Sequence, residues 1–345
     1  MRGFSKPSIV KTICLMVKKI KFKTTLTITI AFVLISCVYG CVDEEKPNVG
    51  SNIVYVDVSG GRNYTSIQEA IDNCKENSTI KVLEGTYFEN IVINTTVKII
   101  AMNLTNTIID GEMNGDVIQI VANDVTIYGF TIRNSGKIGH LSDYDAGIEI
   151  ISKNNIIKNC LIIDNLGGFD VRADNNTILN CSICNNSAGI YSIHSSNNSY
   201  INDTFDSNVK VGLFLHFGSN NKIFDRNNFD NNPIGLKIKG SKNNEIVKNI
   251  FQNNEQGLYF CCGSTKNMIY HNTFINNTVC HGEDLVGENE WYNDTIEEGN
   301  YWGDYIGDDA DGDGIGDTPY NVTTDGTITD IFPLIKPIIN DLLDR

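Results

Sequence analysis

Residues 219–240, SNNKIFDRNNFDNNPIGLKIKG, are followed by SKNNEIVKNIFQNNEQGLYFCCG (241–263), which repeats the same order of residue types. In both segments, short stretches that alternate apolar and polar residues are separated by Asn, Gly and Ser. Such alternation is typical of β-strands, and the separating residues are typical of turns. Each segment therefore predicts three short strands joined by turns.

The same pattern recurs at a nearly constant interval. A glycine followed by apolar-x-apolar begins at six positions, with intervals of 21, 21, 23, 23 and 22 residues: Gly147, Gly168, Gly189, Gly212, Gly235 and Gly257. The spacing lacks the 3.6-residue period of helical repeats, and the Leu pattern of a leucine-rich repeat is missing. We predict an all-β fold, a single solenoid of parallel β-coils of about 22 residues, with about nine coils over residues 53–285.

The abundance of Asn follows from this fold. Asn tolerates left-handed backbone conformations at tight turns, and Asn side chains stacked on one another can hydrogen-bond along the axis. One column is visible in the sequence, where Asn227, Asn249 and Asn272 align above Asp203. Cys181 and Cys160 continue it one coil at a time, either as a disulfide or as small buried side chains.

The N-terminal end of the stack is predicted to carry a short helix. Three apolar residues and a cysteine fall on one helical face, and Ser66 with Glu69 can form a capping box. The face consists of Ile67, Ala70, Ile71 and Cys74. A helix here would cover the open strand edge of the first coil, which otherwise invites aggregation.

Charge is distributed unevenly. The net charge is −15, but residues 1–40 contain seven cations and no acid, so the remainder carries −15 − 7 = −22, which argues against a nucleic-acid partner. Basic residues followed by an apolar stretch predict that residues 1–42 are a signal peptide or a membrane or lipid anchor, with Cys37 or Cys41 as the lipid-bearing alternative. A linker at 43–52 follows. We expect an exported, extracellular or cell-surface protein, and its N-x-S/T sequons make glycosylation an open expectation.

Several segments resemble a known family. YTSIQEAID (64–72), STIKVLEGTYFENIVI (78–93) and DVTIYGFTIRN (124–134), with the repeats, resemble the right-handed parallel β-helix of pectin-lyase-like proteins, most closely the NosD-like, CASH type of repeat. GNYWGDYIGDDADGDGIGDTPY (299–320) resembles the C-terminal segment of archaeal surface proteins of that type. The resemblance covers about residues 53–335 and implies right-handed coils. It specifies the fold but not the activity, since lyases, hydrolases, adhesins and maturation factors share it.

The repeating strands also predict a candidate surface. Their apolar positions point inward, so the residues between and after them point outward in two columns. The first contains Glu149, Asp170, Tyr191, Phe214, Lys237 and Tyr259, and the second contains Ile151, Arg172, His216 and Lys239, with His194 in a shifted register. Aromatic rings stack on sugars, and charged groups hold hydroxyls or carboxylates. We predict that these residues bind a polysaccharide or envelope glycan; an ordinary solvated sheet face is the alternative.

Two other functions remain open. Glu149 and Asp170 lie one coil apart, about 5 Å, which is close to the carboxyl spacing of a retaining glycosidase, and Arg172 could act as the base of a lyase. A polysaccharide lyase or glycoside hydrolase with these three candidate catalytic residues is therefore one alternative. The resemblance implies another, a NosD-like accessory protein for copper or metalloenzyme maturation, in which His194 and His216 could share an ion.

The clearest ligand pattern is DADGDGIGD at 309–317. Oxygen ligands with the spacing of a calcium loop are Asp309, Asp311, Asp313, the Ile315 carbonyl and Asp317, with Gly314 at the sharp turn. Tyr320 stands where an EF-hand has its bidentate Glu, so we predict a weaker, structural Ca²⁺ site; a plain acidic loop is the alternative. The site would belong to a C-terminal cap, residues 286–345, whose aromatic residues Trp291, Tyr301, Trp302 and Tyr305 pack over the last coil.

Overall fold

The computed structural model describes residues 52–140, 143–220 and 222–338. The predicted leader at 1–42 and nearly all of the 43–52 linker lie outside these residues. Among the helices of the described part, none is both long and apolar enough to cross a membrane.

The described residues contain one helix, α1 (Ile67–Asn73), and 33 strands. The strands of the N-terminal coils are β1 (Ile53–Val56), β2 (Ser78–Val82), β3 (Gly85–Phe88), β4 (Ile91–Ile93), β5 (Val97–Ala101), β6 (Thr107–Asp110), β7 (Ile118–Ile120), β8 (Thr126–Tyr128), β9 (Thr131–Arg133), β10 (Gly139–His140), β11 (Asp143–Tyr144), β12 (Ala146–Ile150), β13 (Ile156–Lys158), β14 (Leu161–Ile163) and β15 (Gly167–Val171). The middle strands are β16 (Thr177–Leu179), β17 (Ser182–Cys184), β18 (Ala188–Ile193), β19 (Ser199–Ile201), β20 (Thr204–Asp206), β21 (Val211–His216), β22 (Ile223–Asp225), β23 (Asn228–Asp230) and β24 (Ile234–Lys239). The last strands are β25 (Glu245–Val247), β26 (Ile250–Gln252), β27 (Gln256–Cys261), β28 (Met268–Tyr270), β29 (Thr273–Ile275), β30 (Cys280–Asp284), β31 (Tyr301–Trp302), β32 (Tyr320–Asn321) and β33 (Thr329–Asp330).

These strands form three parallel sheets that run the length of a right-handed β-helix. Sheet A has the order β1-β2-β5-β8-β13-β16-β19-β22-β25-β28, sheet B the order β3-β6-β9-β14-β17-β20-β23-β26-β29-β31, and sheet C the order β4-β7-β12-β15-β18-β21-β24-β27-β30. Two antiparallel pairs, β10–β11 and β32–β33, lie outside the sheets. The solenoid predicted from the repeat is confirmed, with about ten coils rather than nine.

The core confirms that equivalent residues lie directly above one another. Inward-facing rings from sheet B form a continuous stack with centroid separations of 4.6, 4.9, 4.9 and 4.5 Å, which matches the strand spacing: Phe205, Phe229, Phe251, Phe274 and Trp302. Neighbouring planes in this stack differ by less than 10° (5°, 3°, 8° and 9°). Stacked rings of one residue type therefore require each coil to keep the register of the coil below.

Three columns of buried polar side chains, one at each turn of the coil, link the coils along the axis. Column 1 contains Asn155, Asn176, Asn198, Lys222, Asn244, Asn267 and Asn289. Column 2 contains Cys160, Cys181, Asp203, Asn227, Asn249, Asn272 and Asn300. Column 3 contains Asn165, Asn186, Asn208, Asn232, Asn254 and Asn277.

Each Asn of a column binds the coils on both sides of it. The Oδ1 atom of Asn249 accepts hydrogen bonds from the backbone N–H and the side-chain amide of Asn227, both at 2.9 Å. Its amide donates to the carbonyl of Phe224 at 2.8 Å and to Oδ1 of Asn272 at 3.0 Å. The predicted column of Asn227, Asn249 and Asn272 is thereby confirmed, and Asn300 extends it.

A second set of Asn residues shapes the turns. The residue just before a column position commonly has positive φ, as at Asn154 (62°), Asn175 (61°) and Asn185 (57°). Asn adopts this left-handed conformation more readily than most residues. The Asn-Asn pairs of the sequence therefore divide two tasks: the first residue bends the chain and the second joins the coils.

Column 2 begins with two thiols and an acid. Cys160 and Cys181 are both free and buried, so of the two alternatives the structure has small buried side chains rather than a disulfide. Burial raises the pKa of Asp203 well above its usual range, and its Oδ1 accepts from the backbone N–H of Cys181 at 2.7 Å. A protonated Asp203 carries no charge, so it can occupy an Asn position without burying an ion.

The N-terminal end is closed by α1, with Ile67, Ala70 and Ile71 buried, as predicted. Only half of the expected capping box forms: Ser66 Oγ accepts from the Glu69 backbone N–H at 3.2 Å. The remaining N-terminal amides of the helix, at Ile67 and Gln68, donate to the carboxylate of Glu89. A carboxylate from the next part of the chain thus ties the helix to the first coils.

The C-terminal end is closed by the residues after β30. Trp302 in β31 completes the aromatic stack, and Tyr320 covers it at a centroid distance of 4.2 Å. The buried carboxylate of Asp330 accepts from the Trp302 indole N–H at 2.9 Å and the Asn300 backbone N–H at 2.7 Å. Trp291 and Trp302 are both buried, whereas Tyr301 and Tyr305 are half-buried.

Lys222 is the exception in column 1. It takes the place of an Asn, is only 1% exposed, and extends into the core of the β-helix. Its ammonium donates to Ser192 Oγ at 2.9 Å, Ser195 Oγ at 3.2 Å and the Tyr200 hydroxyl at 3.3 Å. Burial lowers its pKa from 10.5 to about 7, with Asp174 acting in the opposite direction. One position of the column therefore buries a titratable group inside the core.

Lys222→Met should stabilise the protein most at neutral and low pH. The unfolded lysine binds a proton up to about pH 10.5, but the folded one only up to about pH 7, so wild-type stability falls as the pH drops through this window. At about 1.4 kcal/mol per pH unit the linked change is on the order of 5 kcal/mol. Urea unfolding of both proteins from pH 6 to pH 10 measures it; a stability difference that is constant with pH would contradict the account.

Candidate functional site

The outward side of sheet C carries the residues predicted from the repeat. Backbone pairing places Glu149, Asp170, Tyr191, Phe214, Lys237 and Tyr259 in one unbroken column over six strands. In the second column, Ile193, His216, Lys239 and Cys261 are paired in succession, and Arg172 follows Val171 at the equivalent position. We call these two columns the sheet C strip. His194 lies one residue beyond this register, with φ of 47°.

The strip is not uniformly exposed. Asp170, Tyr191 and His216 are 0%, 5% and 7% exposed, although their side chains are on the outer face. The β10–β11 hairpin explains part of this, because Tyr144 at its end stacks on Tyr191 with centroids 5.7 Å apart. The strip therefore has a covered half around Asp170 and Tyr191 and an open half around Phe214, Lys237 and Tyr259.

The covered half holds a polar cluster. Asp170 accepts from the Arg172 guanidinium at 2.7 and 2.9 Å, and Glu149 lies 3.8 Å from the Arg172 Nε. Glu149 also accepts from the Gln119 amide at 2.6 Å. Because 21% of the Arg172 side chain is exposed, the edge of the cluster is open to solvent.

Asp116 joins the same cluster. Its Oδ1 accepts from the Ala146 backbone N–H at 2.7 Å. Burial raises its pKa to about 7, and the negative charges of Glu149, Asp145 and Asp170 act in the same direction. A carboxyl group with a pKa near neutrality can both give and take a proton, which is the property required of a general acid or base.

Asp116, Asp145 and Tyr144 were missed from the sequence, because they lie outside the repeating strand pattern. Asp145 accepts from the Ile138 backbone N–H at 2.6 Å and so holds the base of the hairpin. A signal was present: the paired residues Gln119 and Glu149 are 30 positions apart, against 21 for Glu149 and Asp170. The additional residues form the hairpin that covers the strip.

The open half combines aromatic rings with two lysines. The ammonium of Lys237 lies 5.5 Å from the ring centroid of Phe214 and 5.1 Å from that of Tyr259, and Lys239 lies 5.0 Å from the ring of Phe217. All except the exposed Phe217 are half-buried. These distances are within the range of cation–π attraction, so the rings hold the two lysines against the sheet.

His216 lies between the two halves. Its Nδ1 is 2.9 Å from the Tyr191 hydroxyl, and its ring contacts Phe214 and Phe217. Burial lowers its pKa, and the charges of Lys239 and His194 lower it further. At neutral pH the ring is therefore uncharged and serves as a hydrogen-bond partner of Tyr191.

The Asp loop has a shape suited to a hard cation. Ligand oxygens of Asp309, Asp311 and Asp313 lie within 4.8 Å of one another, a separation that Ca²⁺ with Ca–O distances of 2.3–2.6 Å can bridge. Gly312 and Gly314 have φ of 78° and 94°, and the loop is pinned where the Ile335 N–H donates to the Gly314 carbonyl. Asp317 instead accepts from the Ala310 N–H at 2.8 Å.

Comparisons with known proteins agree with the fold. A family model described as periplasmic copper-binding protein (NosD) matches residues 48–307. A probable ABC transporter binding protein NosD of Pseudomonas aeruginosa is 36% identical over 92 residues, which is 26% of this chain and 21% of that protein.

Two solved structures share the architecture. The Dettilon tailspike protein matches with a TM-score of 0.53 and 14% identity, over 66% of this chain and 56% of that one. An alginate lyase of the PL6 family matches with a TM-score of 0.50 and 11% identity, over 73% and 38%. The chain thus spans a fifth to about half of the length of these relatives, and the two structures show the fold alone.

The family description names copper, which is bound through His, Met and Cys side chains. Among residues 52–140, 143–220 and 222–338, the Asp309, Asp311 and Asp313 group is the one set of three or more acidic, His or Cys ligands within reach of a common ion. Carboxylates suit Ca²⁺ rather than copper. Since Nδ1 of His216 is engaged by Tyr191, the described residues do not fit a copper centre shared by His194 and His216.

Proposed function

The chain belongs to the NosD family, and from this premise we propose that it is an exported β-helix protein whose sheet C strip binds a glycan. The periplasmic location in the family description agrees with the export expected from residues 1–42. The observation that carries the proposal is the open half of the strip, where Phe214, Lys237 and Tyr259 occupy consecutive coils.

Recognition of a sugar needs flat apolar surfaces next to polar groups. Phe214 and Tyr259 are separated by two strand spacings, about 9.6 Å, with the Lys237 ammonium between them. The rings can accept the apolar faces of pyranoses while the ammonium donates to their oxygens. Because the strand pairing fixes all three residues, the surface is preorganised and little side-chain entropy is lost on binding.

Removing one ring should weaken glycan binding selectively. Phe214→Ala or Tyr259→Ala should each raise the Kd for a glycan identified on an array by about tenfold, because a stacking contact is worth on the order of 1 kcal/mol. Isothermal titration calorimetry measures the change. Tyr128→Ala is the matched control, since Tyr128 on sheet A also lies under a lysine, Lys158, at 5.7 Å. An equal loss in the control would contradict a site on sheet C.

A glycoside hydrolase is a second candidate, favoured by Asp116. Its pKa of about 7, next to Glu149, provides a protonated and an ionised carboxyl in one cluster, as glycosidases require. Release of reducing ends from the bound glycan, lost in Asp116→Asn, would support hydrolysis. Asp116→Asn keeps the oxygen that accepts from Ala146, so the fold is preserved. Binding without release supports the binding module.

We also propose that the Asp loop binds Ca²⁺ and stabilises the C-terminal cap. Asp309, Asp311 and Asp313 would supply side-chain oxygens and Ile315 its carbonyl, whereas Asp317 would contribute only after releasing Ala310. The carboxylates of Asp309 and Asp313 already accept from the backbone N–H groups of Gly312 and Ile315, at 2.8 and 2.7 Å. The site is therefore partly formed without the ion and needs little rearrangement to bind it.

Millimolar Ca²⁺ should raise the thermal unfolding midpoint of the wild type by a few degrees, because an ion that binds only the folded state stabilises it. The double variant Asp311→Asn, Asp313→Asn should lose the shift. Differential scanning calorimetry with Ca²⁺ or EDTA measures both. Asp325→Asn, in a separate acidic loop, is the control and should keep the shift. An unchanged midpoint in the wild type would refute the site.

A further inference from the structure

Lys237 and Lys239 differ from most cations along the β-helix. Arg133 is paired with Asp110, Arg172 with Asp170 and Lys153 with Asp174, at 2.7, 2.7 and 3.1 Å. Among the described residues, Lys237 and Lys239 have no carboxylate within 4 Å, and their neighbours are the rings of Phe214, Phe217 and Tyr259. They are half-buried cations held by aromatic faces.

Other groups report the same local positive field. The charge of Lys239 lowers the pKa of His216, and both lysines lower that of the Cys261 thiol, against the larger upward effect of its burial. Both groups therefore lie within electrostatic range of the lysines, on the same face of sheet C. This small positive area stands out on a chain with a net charge of −15.

The two ammonium groups are spaced for one shared ligand. Lys237 and Lys239 are two residues apart on strand β24, so they project from the same face about 7 Å apart. An anion between them can accept charge-assisted hydrogen bonds from both, which are roughly twice as strong as neutral ones. A sugar stacked on Phe214 or Tyr259 would bring a charged substituent within reach of Lys237.

We propose that Lys237 and Lys239 form an anion subsite, which makes the strip select acidic glycans over neutral ones. The ligand class is a saccharide that carries a carboxylate, sulfate or phosphate group. This inference rests on the proposed function: the rings supply affinity for the sugar, and the two lysines supply the preference for charge. The Lys-to-Met change removes the ammonium but keeps an unbranched stem that packs on the rings.

The test is a glycan array that pairs uronate-, sulfate- and phosphate-bearing saccharides with their neutral parents. Wild type should bind at least one charged class about tenfold or more tightly than its parent, with affinity that falls as salt rises. The class preferred identifies the anion. Lys237→Met, Lys239→Met should remove the preference while binding of the neutral parent is retained. Lys158→Met, the matched lysine over Tyr128 on sheet A, should change neither.

The outcomes separate the two proposals. Equal affinity of the wild type for charged and neutral partners would overturn the anion subsite and leave the glycan surface standing. No binding to any saccharide of the array would overturn the proposed function and this inference with it. If the charge preference survives in the double variant, the anion is recognised elsewhere, and the assignment to Lys237 and Lys239 is wrong.

Discussion

Buried amides that hydrogen-bond along the axis are the interaction on which this structure depends. An Asn of a column, such as Asn249, is satisfied only if the coil above presents an oxygen and the coil below an N–H at the same height. Because a buried amide without partners costs on the order of 1–3 kcal/mol, every coil must turn at equivalent residues. This requirement keeps the three sheets in register, and it makes residues 21 to 24 positions apart direct neighbours.

The same register creates the candidate site. A single strand of sheet C offers two or three outward side chains, which is too small a surface to recognise a polymer. Stacking turns these into the two columns of the sheet C strip, so that Phe214, Lys237 and Tyr259 act as one rigid group. The departures are informative as well: the β10–β11 hairpin interrupts the repeat and encloses the carboxylates, and Lys222 replaces an Asn and brings a titratable amine into the core.

Much of the fold was predictable because the repeat is a one-dimensional signal. The period predicted the solenoid, the register of the sheet C columns and the Asn column through Asn249. The helix at Ile67–Asn73 was predicted from its apolar face. What the period could not reveal depends on residues outside it: the Glu89 carboxylate at the helix start, the burial of Asp170 beneath the hairpin, and the raised pKa of Asp116. These arise from contacts between a non-repeating segment and the stack, and no spacing encodes them. The glycan and Ca²⁺ sites remain predictions.

The most direct test is the free energy of unfolding of Asn249→Ala, measured by urea titration against Asn123→Ala. Asn249 is buried in column 2, whereas Asn123 is exposed and accepts one hydrogen bond from Lys153. If axial amides hold the coils together, Asn249→Ala should lose about 3 kcal/mol or more, since it leaves buried groups of three coils unpaired, and Asn123→Ala should lose less than about 1 kcal/mol. Similar small losses in both variants would show that the coils stack without the columns, and would contradict the account.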